Sequence, residues 1–175
     1  MSTRIVAMLP RPRRGLRSDG LPGAPAASVA SAILLCAAAA CTDNQDPAGA
    51  KLLWTSIHEQ DYRSWDHAPG YEEKRSSNAP HGDKVIIYIN DVVAEALTAS
   101  PAIDEWPIGS LIVKDGFDGS DLDLVAVMEK RESGWYWAEY DGSGDASFSG
   151  SPKVCTDCHK SGADFVRAFA FTGAR

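Results

Sequence analysis

The pattern of hydrophobic and polar positions predicts a strand-rich domain with a few helices. Leu53, Trp54 and Ile57 fall on one face of a predicted helix over residues 51–63. Four later runs have the length and composition of strands, and they span residues 84–89, 110–114, 122–130 and 135–140. Alternation in the third run predicts one common face, made of Leu122, Leu124, Ala126 and Met128.

Two further helices and the connections complete the pattern. Asn90 has the side chain of a helix N-cap, and it predicts a short helix over residues 91–99. A closing helix is predicted over residues 164–171, with Phe165, Val166 and Phe169 turned inward. Residues 41–50 are predicted as a tether, and loops are predicted at 64–83, 115–120 and 142–151. Because the links between strands are short, we expect an α+β fold that is mainly an antiparallel sheet with a few flanking helices.

Composition allows one domain with a hydrophobic core. The chain has 175 residues, of which 44% are hydrophobic and 9% aromatic, which argues against global disorder. Its formal net charge of -7 makes it a poor partner for nucleic acid. No apolar run reaches the roughly 18 residues that a membrane-spanning helix needs.

The first 40 residues differ from the rest and predict an export signal. Residues 1–40 hold five arginines and one acid, and an Ala-rich apolar stretch covers residues 26–40. A basic region, a short apolar region and small residues before a polar start are the parts of such a signal. A buried Ala-rich helix is the alternative, but it gives the preceding Arg-, Pro- and Gly-rich segment no structural purpose. We therefore expect export to the periplasm.

Cys41 is the predicted processing site. Ala38 to Ala40 precede it and fit cleavage after small residues. They also resemble a lipoprotein box, in which Cys41 becomes lipidated and anchors the protein to a membrane. Ala38 stands where such boxes usually have Leu, so secretion without an anchor stays open. Cleavage leaves 12 bases and 23 acids, a net charge of -11, which suits a basic redox partner or is simply a solvated surface.

The segment from Cys155 to His159 reads C-x-x-C-H, the attachment sequence of a c-type haem. Two thiols at this spacing reach two vinyl groups on one edge of a porphyrin, and the adjacent imidazole binds the iron as proximal ligand. The motif predicts one covalently attached haem c in a C-terminal segment, held by Cys155, Cys158 and His159. Export agrees with this prediction, because such haems are attached outside the cytoplasm.

Three other interpretations of the motif are weaker. A thioredoxin-like redox pair is expected in a βαβ context near the N-terminus, whereas this motif lies near the end of the chain. A zinc site needs two more ligands, and the sequence offers no second Cys pair. A chance match is expected on the order of once in a thousand such chains.

Several short segments precede and follow the motif in a recognisable order. They are Ala-Pro-His-Gly at 79–82, residues 85–90, Pro-Ile-Gly-Ser-Leu-Ile-Val-Lys at 107–114, Val-Met-Glu-Lys at 127–130, Gly-Trp at 134–135 and Asp-Phe-Val at 164–166. In this order they resemble the cytochrome P-460 family and the related cytochromes c′-beta, over about residues 50–171. The resemblance implies an antiparallel sheet with a few helices, often a homodimer, and a five-coordinate haem with a free distal face.

The resemblance also implies two residues at the haem. In the best-known members a strand lysine is bonded to the porphyrin, hydroxylamine is oxidised at the iron, and a distal carboxylate accepts protons. Lys114 matches that lysine, although a lysine at the end of an apolar strand commonly points to water. The carboxylate position falls around Asp123 to Val125. Asp123 is a candidate base, although an exposed aspartate at the start of a strand is the simpler role for it. Val125 leaves an apolar pocket, and one residue of register decides between them.

The sequence therefore leaves three functions open. An enzyme oxidises hydroxylamine with Lys114 bonded to the haem; a binding module holds nitric oxide or carbon monoxide; an electron carrier uses a sixth iron ligand. The candidates for that ligand are Met128, His58, His67 and His81. Core packing is the simpler role for Met128, and solvent exposure is the simpler one for His58 and His67. For His81, a place at the pocket and a turn-capping role are equally open.

Overall fold

The structure is a computed structural model, and it describes residues 43–78 and 80–171. The predicted export signal over residues 1–40 and the predicted lipid site Cys41 lie outside the described residues. Within the described part, none of the helices has the length and apolar character needed to cross a membrane.

The described residues form an α+β domain, which confirms the predicted fold class. Its helices are α1 (Pro47–Glu59), α2 (Asp91–Leu97) and α3 (Lys153–His159), with a 3-10 turn at Tyr62–Ser64. Its strands are β1 (Asp66–His67), β2 (Arg75–Ser76), β3 (Lys84–Ile89), β4 (Leu111–Asp118), β5 (Asp121–Arg131), β6 (Gly134–Asp141) and β7 (Ala146–Gly150). They form one antiparallel sheet in the order β1-β3-β4-β5-β6-β7, and β2 also pairs with β3.

The predicted strands and the helix cap are confirmed, with some ends shifted. β3 has the predicted bounds, and Asn90 caps α2 by accepting a hydrogen bond from the Val93 amide. The strand predicted at 110–114 continues to Asp118, so most of the loop predicted at 115–120 is wrong. Residues 115–117 pair with β3 and residues 115–118 with β5, and the buried Asp115 carboxylate also bonds to Tyr62 of the 3-10 turn. The loop predicted at 142–151 is also wrong in part, because β7 pairs there with β6.

The observed structure departs from the prediction more at the two ends of the domain. Asp43 and Gln45 of the predicted tether form backbone hydrogen bonds with Ser149, and α1 begins at Pro47, capped by the Asp46 side chain. The predicted closing helix over 164–171 is wrong. Asp164 and Phe165 have φ angles of 43° and 67°, which lie in the left-handed region and interrupt a right-handed helix.

Both faces of the sheet are covered by apolar side chains. On the first face, α1 packs Leu53 and Ile57 against strand residues that include Val125. On the second face, α2 and the C-terminal segment pack against a cluster that includes Met128 and Trp137. The predicted common face of β5 is confirmed only in part. Leu122 packs on the first face, since the pairing of β4 and β5 shifts register beyond Gly116.

Candidate functional site

The second face of the sheet carries a pocket beside α3. A cavity of about 210 Å³ is walled by β4, β5, β6 and α3. A neighbouring cavity of about 540 Å³ extends toward the C-terminal segment, and both cavities are lined by His81, Lys114 and His159. Concave, mostly apolar cavities with a few polar groups are the usual form of a cofactor or ligand site.

The register of the strands aligns four side chains across the pocket floor, with one amine and one carboxylate among them. Lys114 pairs with Ala126, Ala126 with Glu139, and Glu139 with Phe148, so the four side chains share a face of the sheet. All four line the smaller cavity. Because Ala126 is small, it leaves space between the amine and the carboxylate, whose strands lie about 10 Å apart. A neighbouring apolar row consists of Ile112, Met128 and Trp137.

The C-x-x-C-H segment forms α3 and faces this floor. Cys155, Cys158 and His159 are spaced three and four residues apart, which places them on one side of a helix, and all three line the smaller cavity. Both cysteines are free thiols. Burial, helped by the charges of Glu139 and Asp43, raises the pKa of the Cys155 thiol to about 11. The thiol is therefore neutral at physiological pH.

The His159 imidazole is held in one tautomer. Its Nδ1 lies 2.9 Å from the carbonyl oxygen of Phe165, and because a carbonyl only accepts, Nδ1 must donate. The lone pair of Nε2 is then free for a metal. Burial lowers the pKa of the ring, and the charges of Lys114 and Arg167 lower it further, against the opposing effect of the hydrogen bond to the Phe165 carbonyl. The lowered pKa favours the neutral imidazole, which is the form that binds metals.

A turn at Asp164 places the Phe165 carbonyl against His159. The Asp164 carboxylate accepts hydrogen bonds from the Trp106 amide at 2.9 Å and from the Lys130 amine at 2.8 Å. Partners so distant in sequence hold the segment as a turn where a helix had been predicted. Metal-binding histidines commonly donate their second ring nitrogen to a carbonyl fixed in this way.

His81 lies at the opposite wall of the pocket. The turn that carries it rests on β4 at Gly116, where a β-carbon would come within 2.3 Å of the His81 carbonyl oxygen. The Nδ1 of His81 lies 2.6 Å from the Glu139 carboxylate. Of the two roles left open by the sequence, the structure supports the place at the pocket. His58, exposed on α1, and His67, packed on Tyr88, line neither cavity.

Lys114 points into the pocket from the centre of the sheet. Burial lowers the pKa of its amine, and the charge of Arg167 lowers it further, against opposing effects of Cys158 and Glu139. The neutral, nucleophilic form is therefore more accessible than in an exposed lysine.

Asp123, the predicted distal base, lies outside the pocket. It is exposed near the beginning of β5, beside Asp83 and Asp118, and it lines neither cavity. Val125 is fully buried on the opposite face of the sheet. The carboxylate that the pocket does contain is Glu139, which the sequence analysis missed. A single acid inside the apolar strand β6 could have pointed to Glu139. Its position two strands away from Lys114, however, depends on how β4, β5 and β6 pair.

Comparison of the chain with family models, with curated proteins and with solved structures finds no match. The resemblance to the cytochrome P-460 family therefore rests on the sequence segments alone.

The donors in the pocket suit a haem better than a bare metal ion. Over residues 43–78 and 80–171, no three His, Cys, Asp or Glu side chains are grouped to hold an ion. One imidazole nitrogen and two thiols on an apolar wall are what a c-type haem uses. The indole nitrogen of Trp137 is buried without a hydrogen-bond partner among the described residues, and its ring centre lies 6.3 Å from that of His159. It offers a donor to a polar group in the pocket.

Proposed function

We propose that the protein is an exported mono-haem c-type cytochrome of the cytochrome P-460 type, which binds or oxidises a small nitrogen species such as hydroxylamine or nitric oxide. One observation carries the proposal: Cys155, Cys158 and His159 converge on a single apolar pocket whose floor presents Lys114. A haem bound there supplies an iron at which a small ligand binds and electrons are exchanged.

The residues of α3 hold the cofactor in this proposal. The thiols of Cys155 and Cys158 would hold a haem through thioether bonds, each formed by adding S–H across one vinyl group so that the proton ends on the other vinyl carbon. The free Nε2 of His159 would bind the iron, and the Phe165 carbonyl keeps the imidazole ring in the orientation for this. Ile112 and Trp137 form apolar walls of the pocket.

The floor of the pocket supplies the acid–base groups. Lys114 is the residue that the resemblance assigns to a bond with the porphyrin, and its lowered pKa favours the neutral amine that such a bond requires. Glu139 takes the place that Asp123 was expected to fill. Hydrogen-bonded to His81, it lies where a carboxylate can accept a proton released by a bound nitrogen species.

Export, anchoring and partners belong to the same proposal. In this proposal the protein lies in the periplasm and is held to the membrane through a lipidated Cys41. It exchanges electrons with a basic redox partner, as a monomer or as a homodimer. A six-coordinate electron-transfer cytochrome is the second candidate function. The position of His81 at the pocket wall favours it, because this residue brings a second imidazole to the same site.

The test is the optical spectrum of the purified periplasmic protein before and after hydroxylamine is added. We expect a strongly red-shifted Soret band in the reduced protein, which reverts in Lys114→Ala. Lys84→Ala is the matched control, because Lys84 is an exposed lysine on the neighbouring strand. An ordinary c-type spectrum in the wild-type protein would contradict the bond to Lys114. A spectrum that neither hydroxylamine nor nitric oxide changes would leave electron transfer as the function.

A further inference from the structure

Two histidines approach each other across the pocket. His81 reaches it from the turn before β3, and His159 reaches it from the end of α3. Their ring centres lie 6.4 Å apart with the ring planes at 59°. Both residues line both cavities, so the space between the two rings belongs to the proposed cofactor site.

This separation is the one that two imidazoles need when they bind the same metal. Each ring contributes a metal–nitrogen bond of about 2.0 Å and about 1.15 Å from that nitrogen to the ring centre, so two rings in line through one metal have centres about 6.3 Å apart. Edge-to-face aromatic contacts reach the same spacing, as between Trp137 and His159 at 6.3 Å, so the orientation of the two rings has to distinguish a shared metal from a simple contact.

Hydrogen bonds orient both rings for such a role. The Nδ1 of His159 is occupied by the Phe165 carbonyl, and the Nδ1 of His81 by the Glu139 carboxylate. Among the described residues, neither Nε2 has a hydrogen-bond partner. A carbonyl or carboxylate on the outer nitrogen is the usual support of a metal-binding histidine, and it fixes the tautomer that leaves Nε2 free.

Two other side chains in the pocket are competitors for the iron. Met128 lines both cavities, but it is also packed within the apolar core of the second sheet face. Lys114 carries an amine on the floor and has no hydrogen bond that orients it among the described residues. Among the described residues of the pocket, His81 alone combines a spacing that fits a shared metal with a carboxylate that positions it.

We propose that His81 is the second axial ligand of the haem iron, opposite His159. The inference rests on the proposed function, since it requires a haem in the pocket, and it departs from the free distal face that the resemblance implies. A small ligand must then displace His81. If the His81-bound form makes up about nine-tenths of the protein, the apparent affinity for such a ligand falls about tenfold.

The experiment uses the oxidised haem-loaded protein and compares wild type, His81→Ala and His58→Ala. The control removes an exposed histidine from α1. Covalent haem staining first shows that each protein carries the cofactor. We then expect low-spin optical and electron paramagnetic resonance spectra in wild type and His58→Ala, and high-spin spectra in His81→Ala. Added imidazole should restore the low-spin spectra of His81→Ala, and azide should bind this variant at least about tenfold more tightly than wild type.

Glu139→Gln provides a second variant that keeps the size of the side chain. Because it weakens the support of His81 without removing the ligand, we expect azide affinity between those of wild type and His81→Ala. A high-spin wild-type protein would overturn the inference. So would low-spin spectra that persist in His81→Ala, which would identify Lys114 or Met128 as the ligand. Absence of covalent haem from wild type would instead overturn the proposed function, and the inference with it.

Discussion

The Asp115 carboxylate is the clearest test of how the sheet is built. It is 2% exposed, and it accepts hydrogen bonds from the Tyr62 hydroxyl at 2.8 Å and from the Arg63 guanidinium at 2.9 Å. These bonds fix β4 to the 3-10 turn on the first face of the sheet. Since neighbouring residues in a strand point to opposite faces, holding Asp115 on one face directs Lys114 into the pocket on the other.

Asp115→Ala should lower the free energy of unfolding by about 2–3 kcal/mol. The buried Tyr62 hydroxyl loses its acceptor, which costs about 1–3 kcal/mol. Arg63 adds at most about 1 kcal/mol, because its side chain is 46% exposed and can turn to water. Burial, together with Asp115, raises the pKa of Tyr62, so the phenol stays a neutral donor and the loss should not change between pH 6 and pH 9.

Urea unfolding of wild type, Asp115→Ala, Tyr62→Phe and the double variant measures this coupling. At an unchanged m-value, the midpoint of Asp115→Ala should fall by roughly 1 M urea. In the Tyr62→Phe background the same change should cost about 1–2 kcal/mol less, because no hydroxyl is left unpaired. Asp121→Ala, at an exposed position, should change stability by less than about 0.5 kcal/mol. A coupling energy below about 0.5 kcal/mol would refute the reasoning.

Three further predictions concern the pocket and its surroundings. The pKa of Lys114 is lowered by burial, so the haem-free folded chain binds fewer protons there than the unfolded chain as pH approaches 10.5. The free energy of unfolding should therefore rise with pH in that range, and Lys114→Met should remove the rise. Equal slopes of unfolding free energy against pH in wild type and Lys114→Met would contradict this. In the same haem-free chain, iodoacetamide should label exposed Cys158 before Cys155, because a pKa of about 11 keeps Cys155 a thiol. Mass spectrometry after brief labelling measures the order, and faster labelling of Cys155 would contradict the prediction. Gly144→Ala should cost about 1–3 kcal/mol in thermal unfolding, because φ is 91° and its β-carbon would come within 2.6 Å of a tryptophan ring. Gly119→Ala has a positive φ but no atom within 4 Å, and an equal loss there would exclude the steric explanation.

The features predicted correctly depend on neighbours in the sequence. The β-branched run of β3 and the cap at Asn90 need only local signals, and both are confirmed. The C-x-x-C-H spacing is local as well, and it places Cys155 and His159 on one wall of a pocket.

The features that were missed depend on contacts between distant segments. The apolar residues at 164–171 suggested a helix, but Asp164 binds the Trp106 amide and the Lys130 amine, and those bonds form a turn. Glu139 reaches the pocket because three strands pair in one register, which no single segment specifies. The same register leaves Asp123 exposed near the beginning of β5, which is the simpler of the two roles that the sequence left open for it.

Covalent haem is the central claim, and intact mass spectrometry with the absorption spectrum of the periplasmic protein tests it most directly. We expect the mass of the mature chain plus one haem, with Soret absorbance that remains with the protein after denaturation. Cys155→Ala with Cys158→Ala should lose the added mass, whereas His159→Ala should keep it and show an altered iron spectrum. A wild-type protein whose mass is that of the chain alone, or a double variant that still carries the haem, would contradict the account.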